Sequence, residues 1–169
     1  LISEIYFNLR TKGIKKVKPQ IIRALPHDPT AFTQGLVYYN HTLYESTGLV
    51  GNSRLRCLDP ENGNLINEIA IEGEWCEGIA IVNNRLIQLT YTAGRAIVYD
   101  IYSLKPYQEL SYEGEGWGLA GCGNLFLMSN GTNRLFYRDE HFKIISELPV
   151  WINHHKLNQI NDIECVGNK

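Results

Sequence analysis

The chain has 169 residues, a formal net charge of −2 at pH 7, and 44% hydrophobic and 20% charged residues. That length allows one domain with a hydrophobic core. A net charge of −2 does not indicate the basic face that binding to nucleic-acid phosphates requires. The sequence contains no run of about 18 apolar residues, which a membrane-spanning helix would need. We therefore predict a globular protein with no nucleic-acid partner and no membrane span.

The first 20 residues are predicted to form an N-terminal tail ahead of a domain at 21–169. This tail lacks the apolar stretch and small-residue cleavage site of a secretory signal. It is rich in lysine, as solvated segments are: Lys12, Lys15, Lys16 and Lys18. The apolar run Ile21–Leu25 follows it and predicts an isolated strand.

Four later stretches repeat one pattern at a period of about 40–45 residues. They are QGLVYYNHTLYEST at 34–47, EGIAIVNNRLIQLTY at 77–91, WGLAGCGNLFLMSNG at 117–131 and NDIECVGNK at 161–169. In each stretch a small residue opens a short apolar strand, and a turn containing Asn or Gly follows. A second apolar strand comes next in the first three. Asn and Gly supply the positive φ angles that tight hairpins require.

Two more strands complete each of the first three units. The third strands end in Asp and are predicted at 54–59, 96–100 and 134–139, and the fourth strands at 65–71, 104–110 and 144–148. Four short antiparallel strands per repeat are typical of a propeller blade. A β-sandwich is the alternative, but it gives no reason for a fixed period. We predict an all-β propeller with about three full blades, part of a fourth and an incomplete ring.

The position just before the repeated small residue holds Gln34, Glu77, Trp117 and Asn161 in the four units. The innermost strands of a propeller run along its central axis, so we expect these side chains to converge at one end of the channel. A structural position would keep one residue type, whereas these four differ. The pattern therefore predicts a binding site.

Aromatic residues lie near the same place in the repeat. Phe32 and Trp75 stand two residues before Gln34 and Glu77, and Tyr91 ends the second strand of the second unit. Together they predict an apolar pocket beside a single carboxylate. Burial in such a pocket would raise the pKa of Glu77 and suit it to proton transfer near neutral pH.

Structural roles remain open for the same positions. Glu77 could hold only water or an ion in the channel, and Trp117 could belong to the core. Gln34 and Asn161 could cap the ends of inner strands.

Other patterns favour structural roles. His154-His155 has no third ligand at metal-binding spacing, and His27-Asp28 lies in a predicted turn. The four cysteines contain no CxxC pair, so they predict no zinc ribbon, and their even number permits disulfides without requiring them. They are Cys57, Cys76, Cys122 and Cys165.

Several longer segments carry a family resemblance. They are PHDPTAFTQGLVY at 26–38, LYESTGLVGNSRLR at 43–56, EGIA at 77–80, GWGLA at 116–120, MSNGT at 128–132 and NDIE at 161–164. With these segments the chain resembles the plant and bacterial type of glutaminyl-peptide cyclotransferase. The resemblance implies a five-bladed propeller that converts the N-terminal Gln of peptides to pyroglutamate and releases ammonia. It also implies an extracytoplasmic location and no catalytic zinc.

The resemblance assigns roles to the repeated positions. It implies Glu77 as the catalytic carboxylate. It implies the pocket residues Phe32, Gln34, Trp117 and Asn161. Trp75 matches a family Phe and Tyr91 a family Trp, so both keep an aromatic wall. Asn130 stands where the family has Asp, and a further pocket Trp and a Lys of the family have no counterpart up to Lys169.

Three functions are compatible with this sequence. The first is a cyclotransferase acting on peptides or proteins with an N-terminal Gln, with no required cofactor and an axial ion such as calcium left open. The second is a non-catalytic scaffold derived from that propeller. The third is a metal-dependent, lactonase-type propeller, which Trp117 disfavours because an indole does not ligate metals.

Overall fold

The structure, a computed structural model, describes residues 18, 20–152 and 154–167. The described residues fold into antiparallel β-sheets, which confirms the all-β prediction. None of them belongs to a helix with the length and apolar character that crossing a membrane requires.

Three four-stranded sheets follow one another along the chain, and each keeps its strands in sequence order. The first contains β1 (Thr33–Tyr39), β2 (Thr42–Thr47), β3 (Arg54–Leu58) and β4 (Leu65–Ala70). The second contains β5 (Cys76–Val82), β6 (Arg85–Thr90), β7 (Arg95–Asp100) and β8 (Pro106–Ser111). The third contains β9 (Leu119–Cys122), β10 (Leu125–Ser129), β11 (Arg134–Arg138) and β12 (Ile144–Pro149). These are the three predicted blades, and they form a propeller-like arrangement that is not closed. A short hairpin, β13 (Trp151–Ile152) with β14 (His155–Lys156), follows.

The inner hairpins turn through residues with the positive φ angles that the sequence predicts, two in each of the first two blades and one in the third. Asn40 and His41 have φ angles of 45° and 60°, and Asn83 and Asn84 have 51° and 61°. In the third blade Gly123 has φ 62°. Left-handed backbone at these positions matches the twist of the two strands, so each hairpin keeps its register.

The repeated Asp residues accept hydrogen bonds from backbone N–H groups in the turns between the third and fourth strands. The Oδ1 of Asp59 accepts the backbone N–H of Glu61 at 2.8 Å, and the Oδ1 of Asp139 accepts that of His141 at 2.9 Å. Asp59 and Asp139, predicted as the last residues of their strands, lie one residue beyond the observed ends of β3 and β11. Their side chains fix the turns between the third and fourth strands.

Burial falls from the centre of each blade to its edge. In β6 every residue from Leu86 to Thr90 is buried, whereas β4, β8 and β12 are exposed over most of their length. Apolar side chains of neighbouring blades form two cores, one between the first and second blades and one between the second and third. Blade-to-blade packing is therefore the main source of apolar burial.

The repeated small residues lie where neighbouring blades come closest. A Cβ added to Gly35 would stand 2.7 Å from the backbone N of Ile79, and one added to Gly78 would stand 2.6 Å from that of Leu119. A Cβ on Gly118 would collide with the carbonyl O of Asn161. No side chain fits at these contacts, which explains why the repeat keeps glycine there.

Three strand predictions are wrong. Ile21–Leu25 has no strand structure, and Ile21 and Ile22 are exposed. The predicted fourth inner strand is also absent at 161–166. A strand needs a hydrogen-bonded neighbour, and no described strand pairs with either segment. The strand predicted from Leu104 begins instead at Pro106, because Leu104 turns with φ 56° and buries its side chain.

A disulfide joins the third blade to the segment that follows it. Cys122, at the end of β9, is bonded to Cys165, and their Cα atoms are 5.5 Å apart. Cys57 and Cys76 are free and buried. The predicted tail at 1–20 falls almost entirely outside the described residues, so its boundary stays a prediction.

Candidate active site

Glu77 lies in β5 and is 6% exposed. Its Oε1 accepts a hydrogen bond of 2.5 Å from the Nε2 of Gln34, which belongs to β1 of the neighbouring blade. The repeat therefore brings these two predicted site residues into direct contact. The interblade contact of Gly35 with Gly78, the next residue in each strand, sets this distance.

Burial is the main influence on this carboxyl group, and it raises the pKa of Glu77 to about 7. The hydrogen bond from Gln34 and the nearby indole of Trp75 both oppose this rise, because they stabilise the charged form. The indole Nε1 of Trp75 is buried and has no acceptor of normal hydrogen-bond geometry among the described residues. Glu77 therefore gains or loses a proton near neutral pH, as the apolar pocket predicts.

Four aromatic rings form a continuous arc beside this carboxyl. The ring centroids of Phe32 and Trp75 are 6.1 Å apart, those of Trp75 and Tyr91 are 5.9 Å apart, and those of Tyr91 and Trp117 are 6.4 Å apart. Edge and tilted contacts at these distances are favourable for aromatic pairs. The four aromatic residues predicted for the site are thus assembled into one wall.

Two glycines make room for the indoles in this wall. A Cβ on Gly48 would stand 2.7 Å from the Nε1 of Trp75, and one on Gly131 would stand 2.6 Å from the ring of Trp117. Gly48 and Gly131 occupy equivalent positions of the first and third blades, and Tyr91 occupies that position in the second. Each of the two indole rings thus lies against a glycine that follows the second strand of a blade.

A second carboxylate, Glu115, belongs to the same site and is not among the site residues predicted from the sequence. Its Oε2 accepts the indole N–H of Trp117 at 2.8 Å. Its negative charge raises the pKa of Tyr91 and contributes to the raised pKa of Glu77, where burial is the larger cause. The signal was available, because Glu115 occupies the same repeat position as Phe32 and Trp75.

Asn161 lies next to Gly118, the residue that follows Trp117. The prediction that Asn161 lies in a strand is wrong. Its backbone O accepts the hydroxyl of Ser129 at 2.7 Å, and the same Ser129 oxygen accepts the backbone N–H of Gly118 at 2.7 Å. The residue is exposed overall. The structure brings Asn161 to the end of the arc through its backbone, with no hydrogen bond between its side chain and Glu77.

The histidines lie outside this cluster. His27 contacts the buried carboxylate of Glu45, with 2.7 Å between its Nε2 and the Oε1 of Glu45. His155 pairs with Ile152 in the small hairpin. Within the described ranges, no three His, Cys, Asp or Glu residues are grouped as metal ligands would be.

Comparison with known proteins identifies the family of this chain. A family model described as glutamine cyclotransferase matches residues 4–169. The glutaminyl-peptide cyclotransferase of Arabidopsis thaliana is 34% identical over 156 residues, which cover 89% of this chain and 48% of that protein. The crystal structure of Myxococcus xanthus glutaminyl cyclase superimposes with a TM-score of 0.80 and 31% identity, over 87% of this chain and 63% of that one.

A more distant solved structure shares the fold alone. The WD40 domain of Neurospora crassa Pan2 superimposes with a TM-score of 0.58 at 10% identity, over 69% of this chain and 36% of that one. The chain spans about half the length of its Arabidopsis relative. The family match covers nearly every residue, and the chain belongs to the glutamine cyclotransferase family.

Proposed function

We propose that this protein is a glutaminyl-peptide cyclotransferase, an acyltransferase that converts the N-terminal Gln of peptides to pyroglutamate and releases ammonia. The observation that carries the proposal is the buried Glu77, whose pKa is raised to about 7 beside an aromatic wall. The names of its Arabidopsis and Myxococcus relatives support the same reaction.

Glu77 would carry the proton in this reaction. The substrate's α-amine nitrogen attacks the side-chain amide carbon, and a new C–N bond closes a five-membered ring. Glu77 takes a proton from the attacking amine and delivers it to the leaving nitrogen, which departs as ammonia when the old C–N bond breaks. A carboxyl with a pKa near 7 suits both steps, because it neither holds nor refuses the proton strongly.

The neighbouring side chains would position the substrate. The aromatic rings of Phe32, Trp75, Tyr91 and Trp117 would enclose the Gln side chain in its cyclised geometry, and proximity accelerates ring closure strongly. Gln34 holds Glu77 with one N–H and retains a second that can donate to the developing oxyanion. The amide of Asn161 is a second candidate donor.

We propose that these steps use side chains alone, without a catalytic metal. A peptide-binding scaffold without turnover is the second candidate function. The observation that favours it is the solvent exposure of the site: Phe32 in the aromatic wall is 48% exposed, and Asn161 at the end of the wall is also exposed.

Ammonia release from a Gln-initiated dipeptide tests the proposal. Wild-type protein should release ammonia with and without EDTA, and Glu77→Gln should lower the rate by about 100-fold or more, the scale of general acid–base catalysis. Glu72→Gln, which changes an exposed carboxylate of the preceding loop, should leave the rate unchanged. The N-acetylated dipeptide should not react, because its nitrogen cannot attack.

Three results would contradict the proposal. Undiminished release by Glu77→Gln would remove the carboxylate from the mechanism. Release that EDTA abolishes would indicate a metal enzyme. Saturable binding of the dipeptide by wild-type protein without any release would establish the scaffold instead.

An extracytoplasmic location is also proposed. The disulfide between Cys122 and Cys165 supports it, since such bonds persist in oxidising compartments and are rare in the cytosol.

A further inference from the structure

Arg138 is a buried cation without a buried counter-charge. It ends β11 and is 5% exposed. The equivalent position holds Leu58 in the first blade and Tyr99 in the second. The first two blades therefore have an apolar or aromatic residue at this position, whereas the third blade has the charged Arg138. Burying a guanidinium is costly unless an anion or several acceptors compensate.

The contacts of Arg138 compensate this burial only in part. Its Nη1 donates to the carbonyl O of Phe142 at 2.7 Å, whereas its Nε is buried and meets no acceptor in the described part of the chain. The guanidinium carbon lies 4.9 Å from the ring centroid of Phe142 and 5.7 Å from that of Tyr112. Desolvation lowers the pKa of Arg138, and no carboxylate offsets it. By contrast, Arg56 and Arg134 pair with carboxylates.

This guanidinium lines a cavity of about 730 Å³ between the second and third blades. That volume is within the range of small-molecule sites. Lys143 adds a second positive charge to the lining, and Asn130 adds an amide whose Oδ1 is already occupied by Thr132. The Asn130 N–H groups therefore remain as donors. The donors in this cavity match an anion.

Two carboxylates also line the cavity, and they limit what it can bind. Glu147 is paired with Arg134, so its charge is largely compensated. Glu113 is exposed and forms no ion pair with another described residue. It would weaken anion binding without preventing it. The rest of the lining is largely aromatic and aliphatic, including Phe136 and Phe142.

We propose that this cavity binds a carboxylate carried on an apolar group, with Arg138 as its anchor. A planar guanidinium and a planar carboxylate form paired hydrogen bonds, and the aromatic lining accepts the apolar group. A free organic acid and the C-terminus of a peptide share this chemistry. The inference does not depend on the proposed catalytic function.

NMR titration of the full chain with matched acids and amides tests the site. The probes are 3-phenylpropionate and its amide, and the tripeptide Gly-Gly-Phe with a free or an amidated C-terminus. Each acid should shift backbone resonances of the cavity lining and bind at least about tenfold more tightly than its amide, because the amide loses one charge-assisted contact. Tighter binding of the tripeptide acid would identify a peptide C-terminus as the ligand, and tighter binding of phenylpropionate a free acid.

Three variants locate the binding. Lys143→Gln, on the cavity wall, should weaken phenylpropionate several-fold, and Glu113→Gln should tighten it. Lys105→Gln is the matched control, because Lys105 holds the same turn position in the second blade and does not line the cavity. Equal binding of acid and amide would overturn the proposal. So would an affinity that none of the cavity variants changes, and Arg138 would then be only a packing residue.

Discussion

At the scale of single residues, opposing influences set the proton affinity of Glu77. Burial raises its pKa most, and the carboxylate of Glu115 adds a smaller rise. Gln34 and Trp75 act in the opposite direction, because their N–H groups favour the carboxylate. Apart from burial, each influence comes from a different side chain, so Gln34, Trp75 and Glu115 can each be removed separately.

Two substitutions should therefore move the pH dependence of the reaction in opposite directions. Gln34→Leu removes a hydrogen bond to the charged form, so the rise of kcat/KM with pH should shift to higher pH. Glu115→Gln removes a neighbouring negative charge and should shift the rise to lower pH, by less than about one unit. Initial rates of ammonia release from pH 4 to 9 measure both. Shifts in the same direction would contradict the assigned contacts.

The same carboxyl should make the fold less stable as pH rises from about 4.5 to about 7. Below about pH 4.5, its ordinary pKa, Glu77 is neutral in both folded and unfolded states. Between pH 4.5 and 7 the carboxyl ionises in the unfolded chain but stays neutral in the folded one, so its stabilising contribution falls. The loss is complete once the pH has passed the folded-state pKa of about 7. Glu77→Gln should thus gain stability relative to wild type between pH 4.5 and 8, by at most about 3 kcal/mol.

Urea unfolding of both proteins at pH 4.5 and pH 8 measures this difference. Glu72→Gln, at an exposed site, should show no such gain. A stability difference between Glu77→Gln and wild type that is the same at both pH values would mean that Glu77 does not titrate in the folded protein with a raised pKa.

At the scale of strands and hairpins, glycine contacts between blades fix the site. Gly78→Ala would place a methyl group 2.6–2.9 Å from the backbone of the next blade. We expect a loss of about 1–3 kcal/mol in the free energy of unfolding, as overpacked interiors show. Gly51→Asn is the control, because Gly51 has φ 83° with open space around it, and Asn tolerates that backbone.

Chemical denaturation measures both variants. Equal stability of Gly78→Ala and wild type would show that the second and third blades do not approach each other so closely at Gly78.

The repeat made the blades and most of the site predictable. Its period located the inner hairpins, and its variable position located Gln34 and Glu77, which are in contact. The absence of a strand at Ile21–Leu25 was not predictable, because strand structure depends on a hydrogen-bonded neighbour that the local sequence does not reveal. Glu115 was missed because only aromatic residues were sought near the repeated positions, although its repeat position matches Phe32 and Trp75.

At the scale of the whole molecule, a covalent bond ties the last described segment to the third blade. The bond between Cys122 and Cys165 spans 43 residues. A cross-link of this span limits the unfolded chain, and its removal should cost about 2–4 kcal/mol. The double variant Cys122→Ala/Cys165→Ala, compared with wild type by thermal unfolding, measures this cost.

Thiol counting checks the pairing itself. Denatured, unreduced protein should show the two thiols of Cys57 and Cys76, and reduced protein should show all four. Four thiols before reduction would contradict the disulfide.

The blades together also create the environment that gives Glu77 its chemistry, since Gln34 reaches it from one blade and Glu115 precedes the next. This environment is tested most directly by titrating the Glu77 side-chain carboxyl by ¹³C NMR, with its resonance assigned by its loss in Glu77→Gln. Burial of Glu77 predicts a midpoint near pH 7. A midpoint near 4.5, the ordinary value for glutamate, would contradict it.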